Sequence, residues 1–204
     1  MYVPAKFVLD DQAAWDVVLN AGAGTLVAQT SEGLASVFVP VVLSDDRRSL
    51  STHVARANPW WRCVEEGAEV IAIFVAASAY VSPSFYPSRF EDPGVVPTWN
   101  YVAAEVRGRV HIHDDQEWLA RQVRSQTGNF EASRSPQWRV EDAPEDFVAR
   151  QLKAIVGISV DALTIEGKAK LSQNRPQIDH DSVRENLGRG TVTERNVAGR
   201  MGDG

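Results

Sequence analysis

The segment from Thr98 to about His113 constrains the fold more than any other part of the chain. Val102, Ala104, Val106, Gly108, Val110 and Ile112 alternate there with Glu105, Arg107, Arg109, His111 and His113. Period two places the two sets on opposite faces of one extended segment. A strand this long with one buried face needs partners along its length, so a sheet organises the chain and helices pack around it.

Other segments supply those partners. Leu26 and Ala28, then Leu34 to Leu43, are apolar and β-branched, broken by a hairpin turn at Ser31-Glu32-Gly33. Ser44 to Arg48 forms a second turn and Leu50 to His53 a short third strand. Glu69 to Ala76 reads as a buried central strand and Gly157 to Leu171 as the last one. Asp10 caps a helix carrying Trp15, Val18 and Leu19 at helical spacing. Asn58-Pro59 starts a short helix expected to end near Gly67, because proline is tolerated in a first turn. Asp114 opens a helix to about Gly128 with Trp118, Gln122 and Val123 inward. Pro144 to Ile155 is another, with Phe147, Leu152 and Ile155 as core contacts. Beyond Leu187 apolar residues are sparse, which divides the chain into a domain over residues 1–186 and a loose tail over 187–204. The expected class is mainly β (α+β), a small antiparallel barrel with flanking helices rather than a doubly wound sheet.

Charge and motifs exclude several functions. The 204 residues hold 21 Lys plus Arg against 27 Asp plus Glu, a net charge of −6. Such a chain has no global electrostatic reason to coat DNA or an anionic membrane. Residues 167–204 hold seven basic and five acidic residues, too slight a basic patch for direct DNA binding, and no basic recognition helix is evident. The single cysteine, Cys63, rules out multi-cysteine metal sites and reads as a core residue beside two tryptophans. With no basic signal start and no apolar run of about 18 residues, the expectation is a soluble, cytoplasmic protein without a membrane segment. Phosphate-loop, zinc-protease and nucleophile-elbow patterns are missing. Gly22-Ala23-Gly24 follows a helix and is a turn. His111 and His113 share a strand face without a third ligand, so they belong to a solvated polar face and no metal is expected.

Three segments concentrate binding chemistry. In His53-Val54-Ala55-Arg56-Ala57-Asn58-Pro59-Trp60, Arg56 offers a fork suited to phosphate, and His53 and Asn58 add donors. A helix cap by Asn58 and a surface ion pair by Arg56 account for the same residues. Tyr80 to Arg89, continued by Val96-Pro97-Thr98-Trp99-Asn100-Tyr101, combines aromatic faces, short hydroxyls and prolines. That lining suits a planar heteroaromatic ligand, or a loop plugging a barrel end. In Gly167 to Pro176, Lys168, Lys170 and Ser172 share one face at a strand end, followed by Gln173 and Asn174.

Taken together these motifs resemble the PaiB-type FMN-binding negative transcriptional regulators. The resemblance rests on the start Met1-Tyr2-Val3-Pro4 with Phe7, His-x-Ala-Arg-Ala-Asn-Pro, Tyr-Val-Ser-Pro-Ser-Phe-Tyr-Pro-Ser-Arg, Val-Pro-Thr-Trp-Asn-Tyr and Lys-Leu-Ser-Gln-Asn-Arg. It runs in order from Met1 to about Leu187. It implies a flavin-binding split barrel, related to the pyridoxamine-phosphate-oxidase group, that forms a homodimer with FMN at the subunit interface. The implied cofactor-binding residues are His53, Arg56, Asn58, Tyr80, Ser82, Ser84, Thr98, Trp99, Asn100, Lys170, Ser172, Gln173 and Asn174. Three positions depart from the pattern. Thr52 stands where glycine is usual, Phe85 where tryptophan is, and Arg89 where lysine is. Three functions stay open: a transcriptional regulator of the PaiB type, a flavin-dependent oxidoreductase acting on a small molecule, and a barrel that has lost cofactor binding and serves as an interaction module. No residue is assigned as a catalytic acid or base.

Overall fold

The computed structural model describes residues 1–202, apart from the side chain of Ala162. In chain order its elements are β1 (Val8–Leu9), α1 (Asp11–Ala21), β2 (Ala23–Thr30), β3 (Gly33–Pro40), β4 (Val42–Leu43), β5 (Ser49–Ala55) and α2 (Trp60–Cys63). There follow β6 (Glu69–Val81), β7 (Thr98–His113), α3 (Gln116–Glu131), α4 (Glu145–Lys153), β8 (Ile155–Lys170), α5 (Gln177–Gly188) and α6 (Val192–Ala198). The strands form one sheet in the order β3-β2-β6-β7-β8-β5-β4, with β1 paired to β8. The ladders β1–β8, β2–β3, β2–β6, β4–β5 and β5–β8 are antiparallel. This is the expected mainly β architecture with flanking helices.

The chain divides into two compact units. One comprises residues 22–73 and 106–164, the other residues 1–21, 74–105 and 165–204, and β6, β7 and β8 each run through both.

In the first unit β7 keeps the alternation seen in sequence, with Val106, Gly108 and Val110 buried. The β5–β8 ladder pairs Ser51 with Ser159, His53 with Gly157 and Ala55 with Ile155. Helix α3 starts one residue later than the sequence implies, because the Asp115 carboxylate accepts from Trp118 N at 2.8 Å. Leu119 and Gln122 bury its inner face, while the Trp118 ring lies flat on His113, with centroids 4.0 Å apart and planes at 7°. That arrangement needs glycine at 157, where a Cβ would run into the Trp118 ring. Gly108 is held as tightly, since a Cβ there would come within 2.5 Å of the Asp161 carbonyl and 2.7 Å of Val160 Cγ1.

In the second unit α1 is capped by Asp10, whose carboxylate accepts from Ala13 N at 2.8 Å. Its buried face is Ala14, Trp15, Val17 and Val18. The segment after β6 makes two short 3₁₀ turns, Pro83–Phe85 and Pro87–Phe90, as its prolines require.

Four expectations need correction. Helix α2 stops at Cys63 rather than near Gly67, and β6 continues five residues beyond Ala76 to Val81. Helix α4 ends at Lys153, so Ile155 belongs to β8, and Phe147 is 46% exposed rather than a core contact. Residues 192–198, expected to be loose, form α6. Thr191 and Glu194 close a capping box, and Val197, Ala198 and Met201 are buried. A few well-spaced anchors suffice there, which a composition count overlooks. Residues 203 and 204 of the expected tail lie outside the described residues.

Gly108→Ala should destabilise the protein by about 1–3 kcal/mol, because the carbonyl it would meet is backbone and cannot swing aside. A thermal midpoint unchanged from the parent would show that the β7–β8 crossing is looser than described.

Candidate functional site

In the unit of residues 22–73 and 106–164, a groove of about 360 Å³ lies between Val37–Pro40 of β3 and His53–Ala55 of β5, with Asn58 and Ile155 at its edges. Residues alternate along β5: Leu50, Thr52 and Val54 are buried, which leaves His53 and Ala55 on the other face. Thr52 donates from Oγ1 to the Pro40 carbonyl at 2.5 Å. The hydroxyl that replaces the usual glycine is thereby absorbed by the strand end.

His53 carries the chemistry of this groove. Among the described residues nothing pairs with its buried Nδ1. Burial pushes the imidazole below its ordinary value, so the ring is neutral at pH 7 with one nitrogen lacking a protein partner. Asn58 accepts from Trp60 N, at the first residue of α2, at 2.9 Å. Trp60 in turn donates from Nε1 to the Ala35 carbonyl at 3.3 Å, anchoring the short helix on β3.

Arg56 is committed elsewhere. Its Nη1 and Nη2 form a fork on the Asp114 carboxylate, Nε donates to the Lys153 carbonyl at 2.8 Å and Nη2 to the Ile155 carbonyl at 2.9 Å. The guanidinium holds Asp114 below the usual carboxylate range. Four of its five N–H groups are spent, leaving one on Nη1 for a ligand.

The remaining predicted site residues lie in the other unit, where they form two groups. Asn100 and Ser172 are buried and exchange hydrogen bonds at 2.9 and 3.2 Å, with Met201 Sδ 3.8 Å from Asn100 Nδ2. Gln173 closes its own turn, accepting from Leu171 N and donating to the Ala169 carbonyl, both at 2.6 Å. These three hold the strand end together. Lys170 donates to Thr98 Oγ1 at 2.5 Å and to the Trp99 carbonyl at 2.7 Å. Burial first, then the Lys168 and Arg175 cations, push its ammonium below the ordinary lysine value. Trp99 and Tyr80 are about half exposed and meet edge to face, with centroids 6.3 Å apart. Ser82 and Ser84 share a hydrogen bond of 2.8 Å, and Asn174 is exposed.

Sequence reasoning missed the β3 wall of the groove. Its signal was present: Leu34 to Leu43 is apolar at every position except Ser36, on both faces of what proves to be an end strand. His111 and His113 serve locally, as the polar face predicts. His111 Nδ1 lies 2.6 Å from Glu66 Oε1, and His113 Nε2 lies 2.9 Å from Ser159 Oγ. No cluster of three or more metal-ligating side chains occurs among the described residues, and no helix there is long and apolar enough to cross a membrane.

The His53 environment predicts a pH dependence. Its folded value lies below the unfolded one, so the folded chain binds fewer protons. Its stabilising contribution is therefore complete above pH 6.5 and lost as pH falls through the depressed folded value. Chemical-denaturation midpoints followed downward from pH 7 should fall less steeply in His53→Asn than in the parent. Identical slopes would place the acid sensitivity elsewhere, His113 being the next candidate because burial also depresses it.

A flavin fits the groove on its own terms. Apolar strand walls suit a flat ring system, and the neutral His53 suits its polar edge. Residues 1–163 match the family described as "Putative FMN-binding domain". The chain is 30% identical over 190 residues to protease synthase and sporulation protein PAI 2 of Bacillus subtilis, covering 92% of this chain and 89% of that protein. It is 33% identical over 192 residues to an uncharacterized protein of Emericella nidulans, covering 76% of each. The fold is similar to a conserved hypothetical protein of Mycobacterium tuberculosis, with TM-score 0.60 and 13% identity over 86% of this chain and 94% of that one. It is also similar to the FAD and heme binding protein of Mycobacterium smegmatis, with TM-score 0.55 and 16% identity over 80% and 73%. The chain belongs to the FMN-binding split-barrel family of the PaiB type.

Proposed function

We propose that the chain binds FMN in the groove between β3 and β5 as one half of a two-fold dimer, and that its regulatory role runs through the flavin and a small molecule rather than direct DNA contact. The groove carries this reading: apolar walls and a neutral histidine without a partner. The bound flavin supplies redox chemistry, and the chain's own residues seat and orient it. Arg56 serves the phosphate only through its last N–H, because Asp114 occupies its fork.

The dimer is supported by the outward face of β2, β3 and β6. Phe38 pairs with Thr25, which also pairs with Ile73, so these three form one row across the sheet. Phe38 is 71% exposed and Leu34, farther along β3, 77%. An apolar end strand this bare needs a cover, and a second copy offers the same face in return. The half-exposed Tyr80 and Trp99, with Ser82, Ser84, Thr98, Lys170 and Asn174, are proposed as contacts that a partner copy adds to the flavin. The net charge of −6 supports the indirect regulatory route.

A flavin-dependent oxidoreductase is the second reading. A hollow sharing His53 and Ile155 with the groove favours it. Anaerobic mixing with a nicotinamide donor should then bleach the flavin, and a flavin that no physiological donor reduces would remove this reading.

Purified protein titrated with FMN should show an oxidised-flavin spectrum saturating at one FMN per chain, with riboflavin binding more weakly. Equal affinity for the two ligands would mean that no protein group meets the phosphate. Leu34→Glu should convert a sedimenting dimer to monomer with unchanged far-ultraviolet dichroism. A parent that sediments as a monomer with flavin bound would refute the dimer.

A further inference from the structure

The hollow beside the groove has a chemistry of its own. It measures about 250 Å³, against about 150 Å³ for an apolar cavity that takes benzene. None of its ten lining residues is acidic or basic, and His53 and Gln151 are the polar members apart from the Trp138 N–H. Val140 and Leu152 form a buried floor, while Trp138 and Phe147 stand over it 48% and 46% exposed. Two large aromatic rings left half bare on the lining of one small hollow offer apolar faces to a third flat ring. Two nearby charge pairs are matched: Arg124 with Glu141 at 2.7 Å, and Arg150 with Asp146 on α4.

We propose that this hollow is a subsite for a neutral, planar aromatic molecule of about two rings, held between Trp138 and Phe147 and sharing His53 with the flavin groove. The assignment rests on the flavin reading for its role, as the place where a small molecule meets the cofactor, and on the hollow alone for its binding. A phosphate-bearing nucleotide would bring charge to a lining without a cation, which loses its hydration without replacement. A neutral ring with a single hydroxyl or carbonyl loses little and finds His53 or Gln151 as partner. The depressed imidazole of His53 agrees with this, since a neutral ring both donates and accepts.

The test is calorimetric titration of the FMN-loaded protein with 2-naphthol and with 2-naphthoate, which match in rings and differ in charge. We expect 2-naphthol to bind at one site per chain, to perturb the flavin spectrum, and to bind at least tenfold more tightly than 2-naphthoate. Ala143→Phe, which fills the hollow from its wall, should weaken 2-naphthol at least tenfold and leave FMN affinity unchanged. Phe147→Ala, at a half-exposed ring, should weaken it several-fold and serves if the filled variant does not fold. Equal binding of the two probes, no binding of 2-naphthol, or indifference to both variants would overturn the subsite. So would binding that leaves the flavin spectrum unmoved. If Ala143→Phe instead dissociates a dimer, the hollow is filled by a second copy and the proposal falls. If FMN itself fails to bind while 2-naphthol selectively does, the flavin reading fails and the aromatic site stands without its redox role.

Discussion

The guanidinium of Arg56 fastens the corner on which the groove depends. It stands just past β5, grips Asp114 just past β7, and donates to the carbonyls of Lys153 and Ile155 where α4 passes into β8. Its backbone N–H continues the attachment, donating to the Ala154 carbonyl at 2.8 Å. Three strand ends and a helix end thus converge on one side chain. The pair is partly open to solvent, so its worth is positional more than energetic. It fixes where β5 stops, and so where His53, Ala55 and Asn58 face the β3 wall. A lysine here would keep the charge and lose the fork.

The same commitment shows how one motif can carry two roles that sequence alone does not separate. His-x-Ala-Arg-Ala-Asn-Pro contains every group an anion needs, and in the folded chain Asn58 also accepts from Trp60 N while Arg56 also braces a corner. Residue type and spacing do not reveal an acid 58 residues downstream. Asn100 and Ser172 repeat the lesson, since each turns its polar atoms to the other inside the core. The long one-sided β7, the Ser31–Gly33 hairpin and the Asp10 cap were legible because their causes are local: period two, turn chemistry and a side chain three residues from its partner. Helix α6 was not, because its cap and three buried anchors are outnumbered by polar neighbours.

Groove and hollow divide two kinds of recognition between them. The groove opens on the exposed β3 strand, while no Asp, Glu, Lys or Arg lines the hollow. His53 borders both, and the Trp118–Gly157 contact that seats α3 lies across the β5–β8 ladder from it. A molecule in the hollow would therefore sense the flavin's state through one imidazole.

The central claim is that the flavin lies against β5, and a charge placed there tests it most directly. Ala55 is exposed, so Ala55→Glu should fold like the parent while setting a carboxylate in the groove wall. Titrated with FMN and followed by the visible spectrum, this variant should bind at least tenfold more weakly than the parent. It should lose less affinity for riboflavin, which lacks the phosphate charge. FMN bound as tightly by Ala55→Glu as by the parent would place the flavin outside this groove and contradict the account.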